Sequence, residues 1–309
     1  MKRVVVVAFS PGLASSLAIT QDIFATANRL ALASGRSAPF EVQVISAAAA
    51  RTRGFEADDL LLLPGLGVAD EEGLATWLSS RGATAATRFV EQAHAAGATV
   101  AASCASTFLL AKAEILDGRL ATTTWWLAPL FRRLFPKVDL NPERILVADW
   151  PIATAGAALA QIDLVLAIVA KFASPGLSRA CARYLLLDER KSQGPYMAVG
   201  HLAVQDACLS RAEAWIQENL ANDFTIDQVA DSAGMAPRTF ARRVHSVVGM
   251  SPVKFVQRVR MEAAERLLET TRLTVDEVAR EVGYAESSTL RRLIRREGRR
   301  APGDLRRHR

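Results

Sequence analysis

Hydrophobic and polar positions keep two different rhythms in the two halves of the chain. In the first half, short strand-like runs alternate with longer helical stretches. Arg3–Phe9 is a β-branched run, followed by a helical pattern around Leu17–Leu32. Phe40–Ser46 alternates with period two. Leu60–Leu63 is continuously apolar up to Pro64-Gly65, as expected of a strand buried on both faces. A helical segment at Thr84–Ala96 leads through Gly97 to a strand at Ala98–Ser103, and a helix follows Cys104 to about Ala113. After Gly118 a further β/α succession reaches Leu187. This alternation predicts an α/β domain, a parallel sheet sandwiched by helices. The stretch Asp188–Gly200 is polar and carries Gly194-Pro195, so it reads as a linker. Beyond it strand signals vanish and every segment reads as helix. The expected organisation is an α/β domain at 1–189, a linker at 190–205 and an all-α domain at 206–309.

The helical half contains a repeat. Thr225-Ile226-Asp227-Gln228-Val229-Ala230 recurs 49 residues later as Thr274-Val275-Asp276-Glu277-Val278-Ala279, and Gly234 matches Gly283 at the same offset. Each Thr precedes Gln228 or Glu277 by three positions, the spacing of a capping box. Each Gly suits a tight turn with positive φ. A second helix follows in each copy, with Phe240, Val244 and Val247 on one stripe of the first and Leu290 and Ile294 on that of the second, after a one-residue insertion. This is a helix-turn-helix written twice, joined by a long helix at Pro252–Glu269. Opposite the apolar stripes stand Arg238, Arg242 and His245 in the first copy and Ser288, Arg291, Arg292 and Arg295 in the second.

Charge sharpens this picture. The chain has 309 residues and a formal charge of +6. Half of all basic residues fall in 201–309, most of them in two bands. No acidic residue occurs from Ser232 to Met261, where Arg238, Arg242, Arg243, Lys254, Arg258 and Arg260 lie. Nine arginines follow Ser287. Two basic bands on repeated helices point to two contacts with a polyanion, against the plainer reading of two solvated faces. Arginine suits a major-groove helix because its fork pairs with guanine O6/N7 or grips phosphate. The expected DNA-contacting set is Arg238, Thr239, Arg242, Arg243, Ser288, Arg291, Arg292 and Arg295, with the two heads meeting successive grooves roughly 34 Å apart.

Residues from about Leu209 onward resemble the DNA-binding domain of the AraC/XylS family of bacterial transcription regulators. The matching positions include Leu220, Val229-Ala230, Gly234, Pro237-Arg238-Thr239-Phe240, Arg242-Arg243, Gly249-Met250-Ser251-Pro252, Arg260, Ala263-Ala264, Leu267-Leu268 and Val282-Gly283-Tyr284. The departure comes at the end, where Gly298-Arg299 stands in place of the family's Phe-Gly. The resemblance implies operator DNA and RNA polymerase as partners.

In the first half, Cys104 sits between a strand and a helix, the place of a nucleophile elbow, where a helix N-terminus lowers a thiol pKa. A working cysteine hydrolase also needs a base. The histidines are His94, His201, His245 and His308, and none is placed by the sequence as a partner. The plain reading of Cys104 is a small buried hydrophobe. Residues 3–187 resemble the PfpI-like, class I glutamine-amidotransferase-like fold, a flavodoxin-like sheet, in the version fused to AraC-type domains (GlxA-type regulators). The match rests on Pro64-Gly65, Ala102-Ser103-Cys104, Leu116-Asp117-Gly118-Arg119, Ala121-Thr122-Thr123, Trp125, Phe135-Pro136, Thr154-Ala155-Gly156 and Asp163. Thr124 stands where the subgroup has a histidine, Ala105-Ser106 replaces a pair ending in Gly, and the early catalytic acid has no clear glutamate match near Gln21-Asp22. The expectation is a non-catalytic sensor or dimerisation domain. Its effector, which a tryptophan face suits to a cationic nitrogenous group, would meet Gly65, Cys104, Ala105, Ser106, Thr124 and Trp125. The alternative is a DNA-tethered cysteine hydrolase or amidase with Cys104 as nucleophile.

Three widely spaced cysteines give no disulfide or metal pattern, so no cofactor or metal is expected. The apolar runs are too short for a membrane span and the start too short for a signal segment, so the expected place is the cytoplasm. The resemblance to regulators adds the expectation of a homodimer associated with the nucleoid.

Overall fold

A computed structural model describes residues 1–46, 54–68, 70–188, 190, 192–197 and 206–296, with backbone alone at 195 and 296. The chain divides into two compact units, Met1–Gln193 and Gly194–Arg309. The division falls inside the stretch expected to be linker, but Ser192 and Gln193 are packed into the first unit rather than leading away from it. The serine hydroxyl and the Gln193 backbone N–H both donate to Glu143 O, at 2.7 and 3.0 Å.

The first unit is built on a six-stranded sheet. Its strands are β1 (Lys2–Ala8), β2 (Phe40–Ser46), β3 (Leu60–Leu63), β4 (Thr99–Ser103), β7 (Leu146–Asp149) and β8 (Ile152–Ala155), in the order β2-β1-β3-β4-β8-β7. All neighbours are parallel except the β7–β8 edge pair. A separate parallel pair joins β5 (Leu120–Ala121) to β6 (Asp139–Leu140). The parallel part has the flavodoxin-like doubly wound order, whose ligand crevice lies outside the carboxyl ends of the strands at the switch in strand order.

The continuous apolar runs follow from this architecture, because successive side chains of a strand face opposite layers and both layers are filled. Val5, Val7, Leu61, Leu63, Val100 and Ala102 pack into one core. Helices α2 (Glu71–Leu78), α3 (Arg81–Ala95), α4 (Thr107–Lys112) and α5 (Ala128–Leu134) contribute Leu74, Phe89, Phe108 and Phe131 to it. Val4, Val6, Leu60, Leu62 and Ala101 face the other core. There α1 (Ala14–Ala33), α6 (Ala160–Phe172) and α7 (Pro175–Tyr184) supply Ile23, Leu164 and Leu177. Helix α2 is an addition to the sequence reading. It is only eight residues long, and its start is fixed by Asp70, whose carboxylate accepts from Gly73 N at 2.8 Å.

The second unit is helical throughout its described residues: α8 (Ala207–Glu218), α9 (Ile226–Ser232), α10 (Pro237–Val248), α11 (Pro252–Thr270), α12 (Val275–Glu281) and α13 (Ser287–Arg296). No helix among the described residues is long and apolar enough to cross a membrane.

Candidate nucleic-acid interface and ligand site

Both capping boxes form. Thr225 Oγ1 accepts from Gln228 N while Gln228 Oε1 accepts from Thr225 N, at 3.3 and 2.8 Å. The Thr274/Glu277 pair does the same at 3.2 and 2.6 Å. Each box starts the first helix of a helix-turn-helix, and Gly234 (φ 70°) and Gly283 (φ 78°) make the turns. At Gly283 the requirement is double, since an added Cβ would also stand 2.3 Å from Leu220 O and 2.7 Å from the Arg260 guanidinium.

The second helices, α10 and α13, bury one stripe and expose the other. Phe240, Val244 and Val248 are inside. Val247, expected on that stripe, is only half-buried, because steps of four residues carry the stripe to position 248. On α13, Leu290, Leu293 and Ile294 are inside. All eight residues expected to contact DNA are exposed: Arg238, Thr239, Arg242 and Arg243 on α10, and Ser288, Arg291, Arg292 and Arg295 on α13.

Three arginines of the first basic band do other work. Arg243 Nε donates to Asp206 Oδ2 at 2.5 Å, and Asp206 Oδ1 caps α8 through Cys208 N and Leu209 N, both at 3.1 Å. Arg243 therefore ties α8 to α10. Arg258 is buried and donates to Gly194 O at 2.7 Å. Arg260 donates to Gly283 O and Asn222 O, and its guanidinium lies 4.7 Å from the Phe224 ring centroid and 5.8 Å from that of Tyr284. Burial holds its pKa below the usual arginine value. The band in the sequence is thus a mixture of surface and framework charges. Arg299, Arg300, Arg306, Arg307, Arg309 and the departure at Gly298-Arg299 lie outside the described residues.

In the first unit the six residues expected around an effector come from three segments that meet at the carboxyl ends of β3 and β4. Cys104 follows β4 with φ 54°, the left-handed conformation of an elbow. Its N–H donates to Gly156 O at 2.8 Å, and its carbonyl accepts from the hydroxyls of Thr107 (2.8 Å) and Thr123 (3.1 Å). Gly65 lies against it, so that an added Cβ there would stand 3.2 Å from Cys104 Cβ and 3.3 Å from Ser16 Oγ. Ser106 donates its hydroxyl to Pro64 O. Gly65, Cys104, Ala105, Ser106 and Thr124 are all buried, and Trp125, half-buried, stacks edge-on against Trp126.

The elbow has the backbone of a nucleophile site without its electrostatics. Burial pushes the Cys104 thiol up to about 11, against smaller opposing effects of the Ala105 amide and the Thr124 hydroxyl. No histidine is among the groups acting on it. His94 is on α3, His245 is in the other unit, and His201 and His308 lie outside the described residues. Among the described residues no three His, Cys, Asp or Glu side chains are grouped to hold a metal ion.

Sequence reasoning missed two members of this region, Ser16 and Gln193. Ser16 is on α1 with no motif around it. Gln193 sits in a polar, helix-breaking stretch, yet it is buried beside Gly156. Grooves of about 430, 490 and 700 Å³ lie elsewhere, along α3, between α8 and α9, and between α6 and α7.

Comparison with known proteins gives three findings. Residues 229–308 match the family described as a helix-turn-helix domain. The chain is 29% identical over 209 residues to the HTH-type transcriptional regulator GlxA of Rhizobium meliloti, covering 65% of this chain and 62% of that one. It is 30% identical over 93 residues to the HTH-type transcriptional activator RhaS of Escherichia coli, covering 30% of this chain and 34% of that one. The matched part is thus less than two thirds of either relative. A solved AraC family transcriptional regulator from Pseudomonas putida is similar over 60% of this chain and all of its own, at 17% identity and a TM-score of 0.47.

Proposed function

We propose, for a chain that carries an AraC-type helix-turn-helix domain and is a homologue of the GlxA regulator, that it is a sequence-specific transcription regulator. The observation that carries this reading is the pair of capped helix-turn-helix units, each presenting an arginine-bearing face opposite a buried stripe. Arg238 and Arg242 in one head and Arg291, Arg292 and Arg295 in the other contact operator DNA, with Thr239 and Ser288 on the same helices, and Arg243 adds a contact from the edge of its face. Arg242→Ala and Arg292→Ala each weaken specific operator binding by ~1–3 kcal/mol if those side chains read bases. Fluorescence anisotropy on a selected operator at fixed salt measures this. Unchanged specific affinity in both variants removes the two assignments.

The α/β unit is a sensor and dimerisation domain, and the regulator acts in the cytoplasm as a homodimer together with RNA polymerase. A small nitrogenous effector meets the Gly65, Cys104 to Ser106, Thr124 and Trp125 cluster, at the carboxyl ends of the strands where doubly wound sheets bind ligands. Because five of those six residues are buried, the effector enters with a local opening. A thermal-shift panel of amines and amides detects such a ligand by mass action.

The elbow backbone at Cys104 favours one other reading, a cysteine hydrolase. Its protonated thiol opposes it, since the thiolate is the nucleophile. Fast iodoacetamide labelling at pH 6 together with amide turnover lost in Cys104→Ser would establish the hydrolase and displace the sensor.

A further inference from the structure

The Gln193 carboxamide is held as a ligand is held. It is the last residue of the α/β unit, distant in sequence from everything it touches. Its Nε2 donates to Pro142 O at 2.7 Å and to Thr123 O at 2.9 Å, with Arg144 O at 3.2 Å and Thr122 Oγ1 at 3.3 Å beside them. Its Oε1 accepts from Ala157 N at 2.9 Å. The orientation is forced by chemistry: a reversed amide would set its oxygen among three carbonyl oxygens and its NH2 against an N–H. Gly156 leaves room for it, since an added Cβ there would stand 2.2 Å from Oε1.

This cradle selects a primary carboxamide. Several acceptors face the NH2 and one donor faces the oxygen, so a carboxylate at the same place would meet carbonyl oxygens with no proton to give them. The cradle is also wired to the elbow from both sides, because Gly156 O accepts from Cys104 N and Thr123 Oγ1 donates to Cys104 O. We propose that Thr123, Pro142, Arg144 and Ala157 form a primary-carboxamide site that Gln193 fills in cis. Its occupation fixes where the chain leaves the α/β unit, and an external small amide takes the site by displacing it. The site is a property of the first unit alone. Its coupling to DNA rests on the regulator reading above.

The test uses the full chain with acetamide as probe and acetate as control. Four of the five tryptophans (Trp77, Trp125, Trp126 and Trp150) lie in the α/β unit, so their fluorescence follows its unfolding. Gln193→Ala lowers the midpoint by several degrees. Acetamide restores most of that loss in the variant beyond its effect on wild type, and acetate does not. No restoration, or equal restoration by acetate, overturns the site. Should Gln193→Ala fail to fold, Gln193→Glu decides: its stability relative to wild type rises as pH falls, because only the neutral acid has a proton for the carbonyls. A flat difference between pH 8 and 5 overturns the site. For the coupling, operator affinity changes several-fold in Gln193→Ala and returns with acetamide. Affinity equal to wild type overturns the coupling, whereas absence of specific binding by wild type itself counts against the regulator reading and leaves the thermal result to judge the site.

Discussion

At the scale of single residues, the decisive quantities are burial and the partner each polar group finds. Cys104 is the clearest case. Its thiol keeps its proton to about pH 11, while in the unfolded chain it ionises near 9. The folded state is therefore the tighter proton binder, and its contribution to stability is complete below pH 9 and is lost as pH rises toward 11. That difference corresponds to ~3 kcal/mol. Urea unfolding between pH 8 and 11 is expected to show this alkaline loss in wild type and a shallower one in Cys104→Ala, and equal slopes would refute it. Asp206 is the second case. It caps α8 and pairs with Arg243, so Asp206→Ala costs about 1–3 kcal/mol through the lost cap and the unpaired arginine. Denaturant titration of the helical unit checks the figure. Arg243→Ala is the complementary variant. It lowers the stability of that unit as well as its DNA affinity, whereas Arg242→Ala changes affinity alone.

At the scale of elements, local sequence chemistry accounts for where helices start and turn. The two capping boxes, at the same offset as the repeat, need nothing beyond a hydroxyl, a long polar side chain and three residues between them. Gly283 joins that local logic to packing. Its positive φ is a turn requirement legible in the repeat, but its closeness to Leu220 O and Arg260 comes from another helix and from the loop after α8. Gly283→Ala is therefore expected to cost more than Gly234→Ala, whose nearest neighbour is a flexible arginine end at 3.8 Å. Thermal unfolding of the two variants compares them directly, and a larger loss at 234 contradicts this account. The strands tell a similar story. Their continuous apolar runs identify strands covered on both faces, while the neighbour each one pairs with is set by the sheet.

At the scale of the whole molecule, charge has to be sorted by position before it means anything. The chain's +6 and its two basic bands include Arg258 and Arg260, which are spent on carbonyl oxygens and aromatic rings inside the helical unit. The remaining exposed arginines on α10 and α13 should govern the salt dependence of DNA binding. Each one that meets a phosphate contributes about one unit to the slope of log affinity against log salt concentration. Arg238→Ala and Arg295→Ala are expected to flatten that slope by about one unit each if they hold phosphate. A slope unchanged in both would assign these side chains elsewhere.

The sequence by itself determined what local chemistry controls: the two classes of layer, the twofold helix-turn-helix, its caps and glycine turns, and the face of each second helix that carries arginine. It also placed Cys104 at a strand-to-helix junction. Only the tertiary structure decided what depends on groups far apart along the chain. The thiol is protonated because segments from 63 to 65, 104 to 107 and 123 to 124 close over it. Arg243 is half committed because Asp206 lies across from it. Gln193 is a buried, fully bonded side chain because residues 122 to 157 present carbonyl oxygens at one place. A polar residue in a linker-like stretch carries no local sign of such partners, since the cost of burying it is offset only by hydrogen bonds that the completed fold supplies.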